Sequence, residues 1–269
     1  MSDLGHPSSA ASPGPPQKTI DFTIRPCTSL ADMQACFALH REIWSYSEAD
    51  LIPIRLFVVA AKIGGQVIGA FDQSDLAGFA MAFPALRNGH PYLHSQMLAV
   101  RPQFRNAGLG RRLKLAQRDD AIARGIDLME WTFDPLEIKN AYLNIEKLGA
   151  IVRRYNVNQY GFSSSPLQGS LPTDRLIAEW WLKSDHVTGV LNAAPRPALD
   201  IRARIEVPAE IYGWKSAAST REQAAAVQQK NREAFQKAFA DGLSVLGYER
   251  TARGDGHFLL GQWNENLQY

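Results

Sequence analysis

The residues of this 269-residue chain best suited to a chemical task lie in the run Val100-Arg101-Pro102-Gln103-Phe104-Arg105-Asn106-Ala107-Gly108-Leu109-Gly110. An apolar segment that reads as a strand, Leu93 to Val100, precedes it, and a basic segment that reads as a helix, Arg111 to Arg124, follows. A glycine-spaced loop between a strand end and a helix start gathers backbone N–H groups at the positive end of the helix, which suits an anionic phosphate. Gly108 and Gly110 carry no side chain to block a close approach. The chemistry expected is the holding of a nucleotide-bearing cofactor. Two common phosphate loops do not fit. A nucleoside-triphosphate loop needs Lys-Ser or Lys-Thr after its second glycine, and Gly110 is followed by Arg111-Arg112. A dinucleotide fingerprint needs a third glycine where Leu113 stands.

Arg105, Gly108 and Gly110 meet the pattern Arg/Gln-x-x-Gly-x-Gly/Ala. This resembles the acyl-CoA loop of the GNAT N-acyltransferase superfamily. Leu98-Ala99-Val100-Arg101-Pro102 is similar to that family's fourth strand and its exit, and Leu113 to Arg124 to the helix after the loop. Ile126 to Phe133 is similar to the fifth strand, and Asn140-Ala141 through Leu148-Gly149-Ala150 to the helix that closes the motif. In order of elements the resemblance covers about residues 20 to 183, and the long form with a C-terminal extension resembles bacterial proteins predicted to be acetyltransferases.

The resemblance implies an α/β fold with a mixed, mostly antiparallel central sheet flanked by helices, the acyl-CoA N-acyltransferase fold, followed by a small α/β extension. It implies that the backbone from Arg105 through Asn106, Ala107, Gly108, Leu109, Gly110 and Arg111 faces the cofactor pyrophosphate. It further implies that Leu98 and Val100 bond the pantetheine arm and the thioester through their main chains, and that Asn140 reaches the cofactor. For Asn140 the competing reading is a helix cap after Pro135. Acetyl-CoA is the expected cosubstrate, with succinyl-CoA or another acyl-CoA as alternatives, and no metal is expected. Acyl transfer to an amine also needs donors for the developing oxyanion and a route for the amine proton. Many members place a tyrosine where Ile145 stands, so another group must protonate the leaving thiolate or it leaves unassisted; Tyr155 and Tyr160 on the next strand are candidates. For the base, His94 lies on the fourth strand with the side-chain parity of Gln96 and Leu98, and Glu130 is a carboxylate inside the apolar strand Leu128-Met129-Glu130-Trp131. The competing readings are a histidine satisfied within the strand and a glutamate paired with Arg153 or Arg154. Trp44, Tyr46, Glu48, Asp50 and the Ser163-Ser164-Ser165 loop are expected to shape the acceptor site.

Net charge is +2 and 45% of the residues are hydrophobic, which argues against a nucleic-acid binder working through bulk charge and gives material for a core. Cys27 and Cys36 read as small core residues, with no disulfide or zinc spacing. Residues 1–17, rich in Ser, Pro, Ala and Gly, read as a disordered tail without a signal-peptide pattern. No run of apolar residues is long enough to span a bilayer, so the chain is expected to be cytoplasmic. Residues 18–183 are assigned to the acyltransferase domain and 184–269 to an extension packed on it.

Along the chain, Phe22 to Arg25 reads as a strand and Ser29 as the cap of a helix running to about Trp44. Leu56 to Ala61 favours a strand, and Val67 to Phe71 with Leu76 to Phe83 a hairpin. Ile151 to Tyr160 and Arg175 to Trp181 read as strands around a long loop. After a linker at 192–198, Ile201 to Val207 alternates as a strand. Ser219 and Glu222 form a capping-box pattern before a helix that Gly242 ends, and a hairpin closes the chain around Arg253-Gly254-Asp255-Gly256.

The leading expectation is an acyl-CoA-dependent N-acyltransferase acting on a small-molecule amine or an amino acid. The alternatives are a non-catalytic acyl-CoA-binding regulatory module and a protein N-acetyltransferase. A homodimer is left open.

Overall fold

The computed structural model describes residues 21–161, 163–194, 199–265 and 267. Ten strands form one sheet in the order β1-β2-β3-β4-β5-β7-β6-β9-β10-β8. They are β1 (Thr23–Pro26), β2 (Gln66–Asp72), β3 (Asp75–Arg87), β4 (His90–Val100), β5 (Leu128–Phe133), β6 (Ile151–Asn156), β7 (Arg175–Trp181), β8 (Ala203–Val207), β9 (Leu243–Arg250) and β10 (Gly256–Gln262). Every pairing is antiparallel except β4 with β5. The expected mixed, mostly antiparallel sheet is therefore the one observed. The C-terminal strands extend it past β6, through the Val152 and Val245 pairing.

Helices α1 (Leu30–Trp44) and α2 (Ile54–Lys62) lie on one face and α3 (Leu109–Ala123) on the other. Helix α1 starts as expected at Ser29, whose side chain accepts from the Asp32 N–H while Asp32 reaches back, a complete capping box. The strand expected at Leu56 to Ala61 is instead α2. Phe57 and Ala60, three apart, are its buried residues, so packing at helical spacing overrides the strand preference of Val58 and Val59.

The last helices are α4 (Ile138–Tyr142, continued by a π-helical turn at Leu143–Lys147), α5 (Asp185–Leu191), α6 (Ile211–Ser216) and α7 (Arg221–Ala240). The capping box expected at Ser219 does not form, because Ala218–Thr220 makes a 3-10 turn and the helix begins after it, at Arg221, with no side-chain cap. Residues 1–17 and 195–198 of the expected linker lie outside the described residues.

The core above β5 and β7 is aromatic. Trp131 and Trp180 meet edge to face at 5.9 Å, and the buried Trp180 Nε1 donates to the Leu148 carbonyl. Each such ring contributes about 2–3 kcal/mol by burial. The C-terminal segment is tied to this core by polar contacts. Buried Lys215 on α6 pairs with Asp134 at 2.8 Å and Glu137 at 2.9 Å, Arg232 on α7 with Asp174 at 2.8 Å, and the Tyr248 N–H donates to Glu146 at 2.7 Å.

Candidate active site

Strands β4 and β5 pair only at Leu93 with Met129 and at His94 with Glu130. Beyond those pairs the strands part, so Ser95 to Val100 and Trp131 to Phe133 flank a wedge in the sheet. The main chain of β4 is oriented by its other neighbour. The Arg101 N–H donates to the Ala77 carbonyl at 2.9 Å, which makes that pair a hydrogen-bonded one. In an antiparallel ladder such pairs alternate, so Ala99 faces β3 while Leu98 and Val100 turn their N–H and C=O groups into the wedge. Arg105 Nε reaches the Val100 carbonyl from that side at 3.1 Å.

The glycine loop crowns the open end. Asn106 and Gly108 have positive φ, 63° and 77°, a conformation that asparagine tolerates and glycine favours. Helix α3 begins at Leu109 with no side-chain cap. Among the described residues, the N–H groups of Asn106, Ala107 and Gly108 donate to no protein acceptor, and those of the first turn, Leu109 to Arg111, have none within the helix. These donors and the α3 dipole make an anion cradle of backbone. A Cβ added to Gly108 would meet no atom within 4 Å, and one on Gly110 would sit 3.6 Å from Leu98 and 4.0 Å from Leu143. Arg111 Nε donates to the Lys147 carbonyl at 3.2 Å, tying α3 to the end of the π turn across the wedge. An extended ligand with a phosphate head and an amide-bearing tail fits these donors: the head on Asn106 to Arg111, the tail along Leu98 and Val100. Asn140 is exposed within α4 and is not its cap, a position held by Glu137. Ile145 is buried in the π turn, so no hydroxyl comes from that position.

The sheet face carrying α1 and α2 holds the polar groups. The register of β3 against β4 shifts between Met81 and Ala82, and this bulge corrects the expected side-chain parity. His94, opposite Phe83, lies on the α1 and α2 face with Met97 and Ala99, whereas Leu98 points to α3. Burial pulls the His94 pKa down, the Lys114 charge acts the same way, and Glu130 opposes them. Glu130, 3% exposed, takes both guanidinium nitrogens of Arg87 at 2.7 and 2.6 Å and also bonds Arg154. Glu179 next to it bonds Arg153 and Arg154. The pairing reading of Glu130 is thus the one observed, with Arg87 as a partner that sequence reasoning missed. Its signal, an arginine at the end of a long strand, is visible only once β3 is known to run to residue 87.

Tyr155 lies two strands from β5. Its hydroxyl donates to Asp174 at 2.6 Å and its ring stacks on Phe235; burial, then that carboxylate, push its pKa up. Tyr160 is nearer the wedge, its hydroxyl 2.9 Å from Thr132 Oγ1 on β5. The residues expected to shape the acceptor side do come together. Ser164 Oγ donates to Asp50 at 2.5 Å and accepts from the Ser47 N–H at 2.9 Å, and Ser165 Oγ donates to the Trp44 carbonyl at 2.9 Å. The α1–α2 and β6–β7 loops are thereby joined. Lys114, read in the sequence only as part of a basic helix, is buried against Ser95 and Trp131. Its signal was its spacing with buried Gln117 and Ala121, three and seven residues on.

Among the described residues no His, Cys, Asp and Glu cluster is arranged to hold a metal ion, and no helix is long and apolar enough to cross a membrane. Residues 31–142 match the Acetyltransferase (GNAT) family. No curated protein matches the chain. The structure of yncA, a putative acetyltransferase from Salmonella typhimurium with its cofactor acetyl-CoA, is similar at a TM-score of 0.50 and 19% identity, covering 66% of this chain and 99% of that one. An N-acetyltransferase from Staphylococcus aureus Mu50 is similar at 0.50 and 16% identity, covering 61% and 99%. At these identities the likeness is one of fold. The wedge and the backbone cradle lie within or beside residues 31–142, the segment that matches the Acetyltransferase (GNAT) family.

Proposed function

We propose that this protein uses an acyl-CoA, with acetyl-CoA as the default donor, to acylate the primary amine of a small molecule or amino acid by direct attack on the thioester. The observation that carries the reading is the wedge itself, with Leu98 and Val100 turned into it below the unpartnered N–H groups of Asn106 to Arg111.

The bound thioester supplies an electrophilic carbonyl and a thiolate leaving group. The Leu98 N–H is placed to donate to the carbonyl oxygen as it gains charge, in a strand that need not reorganise. His94 is the base. Burial lowers its pKa, which favours the neutral form that can accept a proton, and it lies on the sheet face that carries α1 and α2. Glu130, with both oxygens engaged by Arg87 and Arg154, serves as fixed charge beside His94 and not as a proton acceptor. Tyr155 ties the sheet to the C-terminal segment. No tyrosine is needed for the thiolate, because an ordinary thiol pKa of about 8.5 makes it a fair leaving group.

Two features support a small acceptor over a polypeptide. The tie through Ser164 and Ser165 joins the α1–α2 and β6–β7 loops to each other, which favours a compact acceptor over an extended chain passing between them. The floor beside His94 carries Arg87, Arg153 and Arg154 against Glu130 and Glu179, an excess of one positive charge that suits an acceptor carboxylate. Thiol release from acetyl-CoA across amino acids, polyamines and short peptides tests the proposal. Turnover with small amines, amino acids foremost, is expected. Tight CoA binding without turnover on any amine would overturn it in favour of a binding module, and turnover on peptides alone would move the acceptor to protein.

A further inference from the structure

Ser95 is the first residue of β4 beyond its last pairing with β5, and Trp131 is the first of β5. Lys114 of α3 joins the two at the vertex of the wedge. Its Nζ donates to Ser95 Oγ at 2.9 Å, lies 3.8 Å from the Met129 sulfur, and stands 3.6 Å from the centre of the Trp131 ring. Lys114 is 2% exposed, and among the described residues no carboxylate pairs with it. The Ser95 hydroxyl in turn donates to Gln117 Oε1 at 3.0 Å, and among the described residues Gln117 Nε2 is buried with no hydrogen-bond partner.

A buried ammonium without a counterion and a buried amide donor left unpaired both cost stability. Burial alone pushes the Lys114 amine well below its ordinary range. A second hydrophobic residue would have filled this place more stably, so the vertex is built at a cost to folding. The unmatched groups are donors, and donors without acceptors describe an anion site.

We propose that this cluster selects the acyl group: Lys114 and Gln117 receive the terminal carboxylate of a four- or five-carbon dicarboxylic acyl chain, such as succinyl, carried on coenzyme A. The inference rests on the acyl-CoA reading above and goes further by naming the class of acyl group. The dimensions agree. At about 3.3 Å per residue, the bulged stretch from Leu98 down to Ser95 covers roughly 7–10 Å. That depth is set by a thioester carbonyl at the Leu98 N–H and a carboxylate at Lys114. A two-carbon acetyl group stops short of the vertex, and a butyryl chain brings no acceptor to it. With the carboxylate in place, Lys114 has its counterion, and the indole walls of Trp131 and Trp180 keep water from weakening the pair.

Equilibrium binding of CoA, acetyl-CoA, butyryl-CoA and succinyl-CoA tests this without knowledge of the acceptor. The wild-type protein is expected to bind succinyl-CoA at least about tenfold more tightly than butyryl-CoA. Lys114→Met should reverse that order while changing affinity for acetyl-CoA by less than about threefold. Gln117→Leu, whose change is gentler on the fold, should lower the succinyl preference in the same direction. A wild-type protein that binds butyryl-CoA as tightly as succinyl-CoA overturns the proposal, as does a succinyl preference that survives in both variants. A protein that binds CoA and acetyl-CoA but shows no succinyl preference leaves the acyl-CoA reading standing and refutes this one. Failure to bind any of the four ligands refutes both.

Discussion

The two sides of the wedge are built on opposite principles. At its open end, Asn106 to Arg111 offer backbone donors with no protein acceptor, held by two positive-φ residues and a helix start. On the floor beside His94, Arg87, Glu130, Arg154, Glu179 and Arg153 form an ion-pair chain in which each carboxylate meets two guanidiniums. The first is the proposed binding site because its groups are unmatched. The second is largely internal scaffolding, with only its surplus charge facing outward. The contrast teaches where to look for binding in this molecule: unsatisfied donors mark it better than clusters of charge.

Substitutions that sharpen this contrast should differ in what they damage. The largest effect is expected for Gly108→Glu. A glutamate there points into open space beside the N–H cradle, so it sets a carboxylate against the pyrophosphate and strains a φ of 77°. CoA affinity should fall more than about a hundredfold, read by calorimetric titration, while stability falls by only about 1–2 kcal/mol. Unchanged affinity would break the assignment of the cradle.

Glu130→Gln should act the other way. It leaves Arg87 and Arg154 with a neutral partner at a position only 3% exposed. Unfolding in denaturant should report a loss of about 2–3 kcal/mol, discounted from the fully buried case because the arginines are partly solvated. CoA affinity should hold. A variant that keeps its stability would show that the floor is not scaffolding.

His94→Ala should lower the rate at neutral pH by about a hundredfold with little change in CoA affinity. Burial lowers the His94 pKa below its ordinary 6.5, so the base form prevails at neutral pH and the acid limb of the wild-type pH–rate profile lies below that value. The sign for stability follows. The folded state binds fewer protons at His94 than the unfolded chain, so this contribution is present above the unfolded pKa and lost as pH falls beneath it. A variant that keeps the wild-type acid limb would remove His94 as the base.

The smallest effect is expected for Ser164→Ala. Loss of the Asp50 tie should raise the acceptor KM a few-fold and leave CoA affinity unchanged, as suits a partly exposed hydrogen bond worth about 0.5–1 kcal/mol. A changed CoA affinity would mean that the loops act on the cofactor side.

The same contrast explains what was legible in the sequence. The cradle is local: Asn106, Gly108 and Gly110 set its backbone within a few residues, and the flanking strand and helix are read from periodicity. The segments of β1 to β5 were each readable from local pattern, whereas the insertion of β7 between β5 and β6 was not. The floor is assembled from β3, β5, β6 and β7, so no local signal links Arg87 to Glu130. The bulge that turns His94 away from the Leu98 side depends on how β3 meets β4 and cannot be read from alternation along β4 alone. Helix α2 was misread because Val58 and Val59 favour strands locally, whereas Phe57 and Ala60 are buried at helical spacing. Lys114 hid inside a basic helix whose other charges, Arg111, Arg112 and Arg118, face outward at least in part.

Amide hydrogen exchange, compared with and without saturating CoA, tests the central claim most directly. The account predicts that Asn106 to Arg111, together with Leu98 and Val100, exchange readily in the free protein and become protected on binding, because these N–H groups gain the acceptors they lack. Protection elsewhere, with those amides still exchanging freely while CoA is bound, would contradict it.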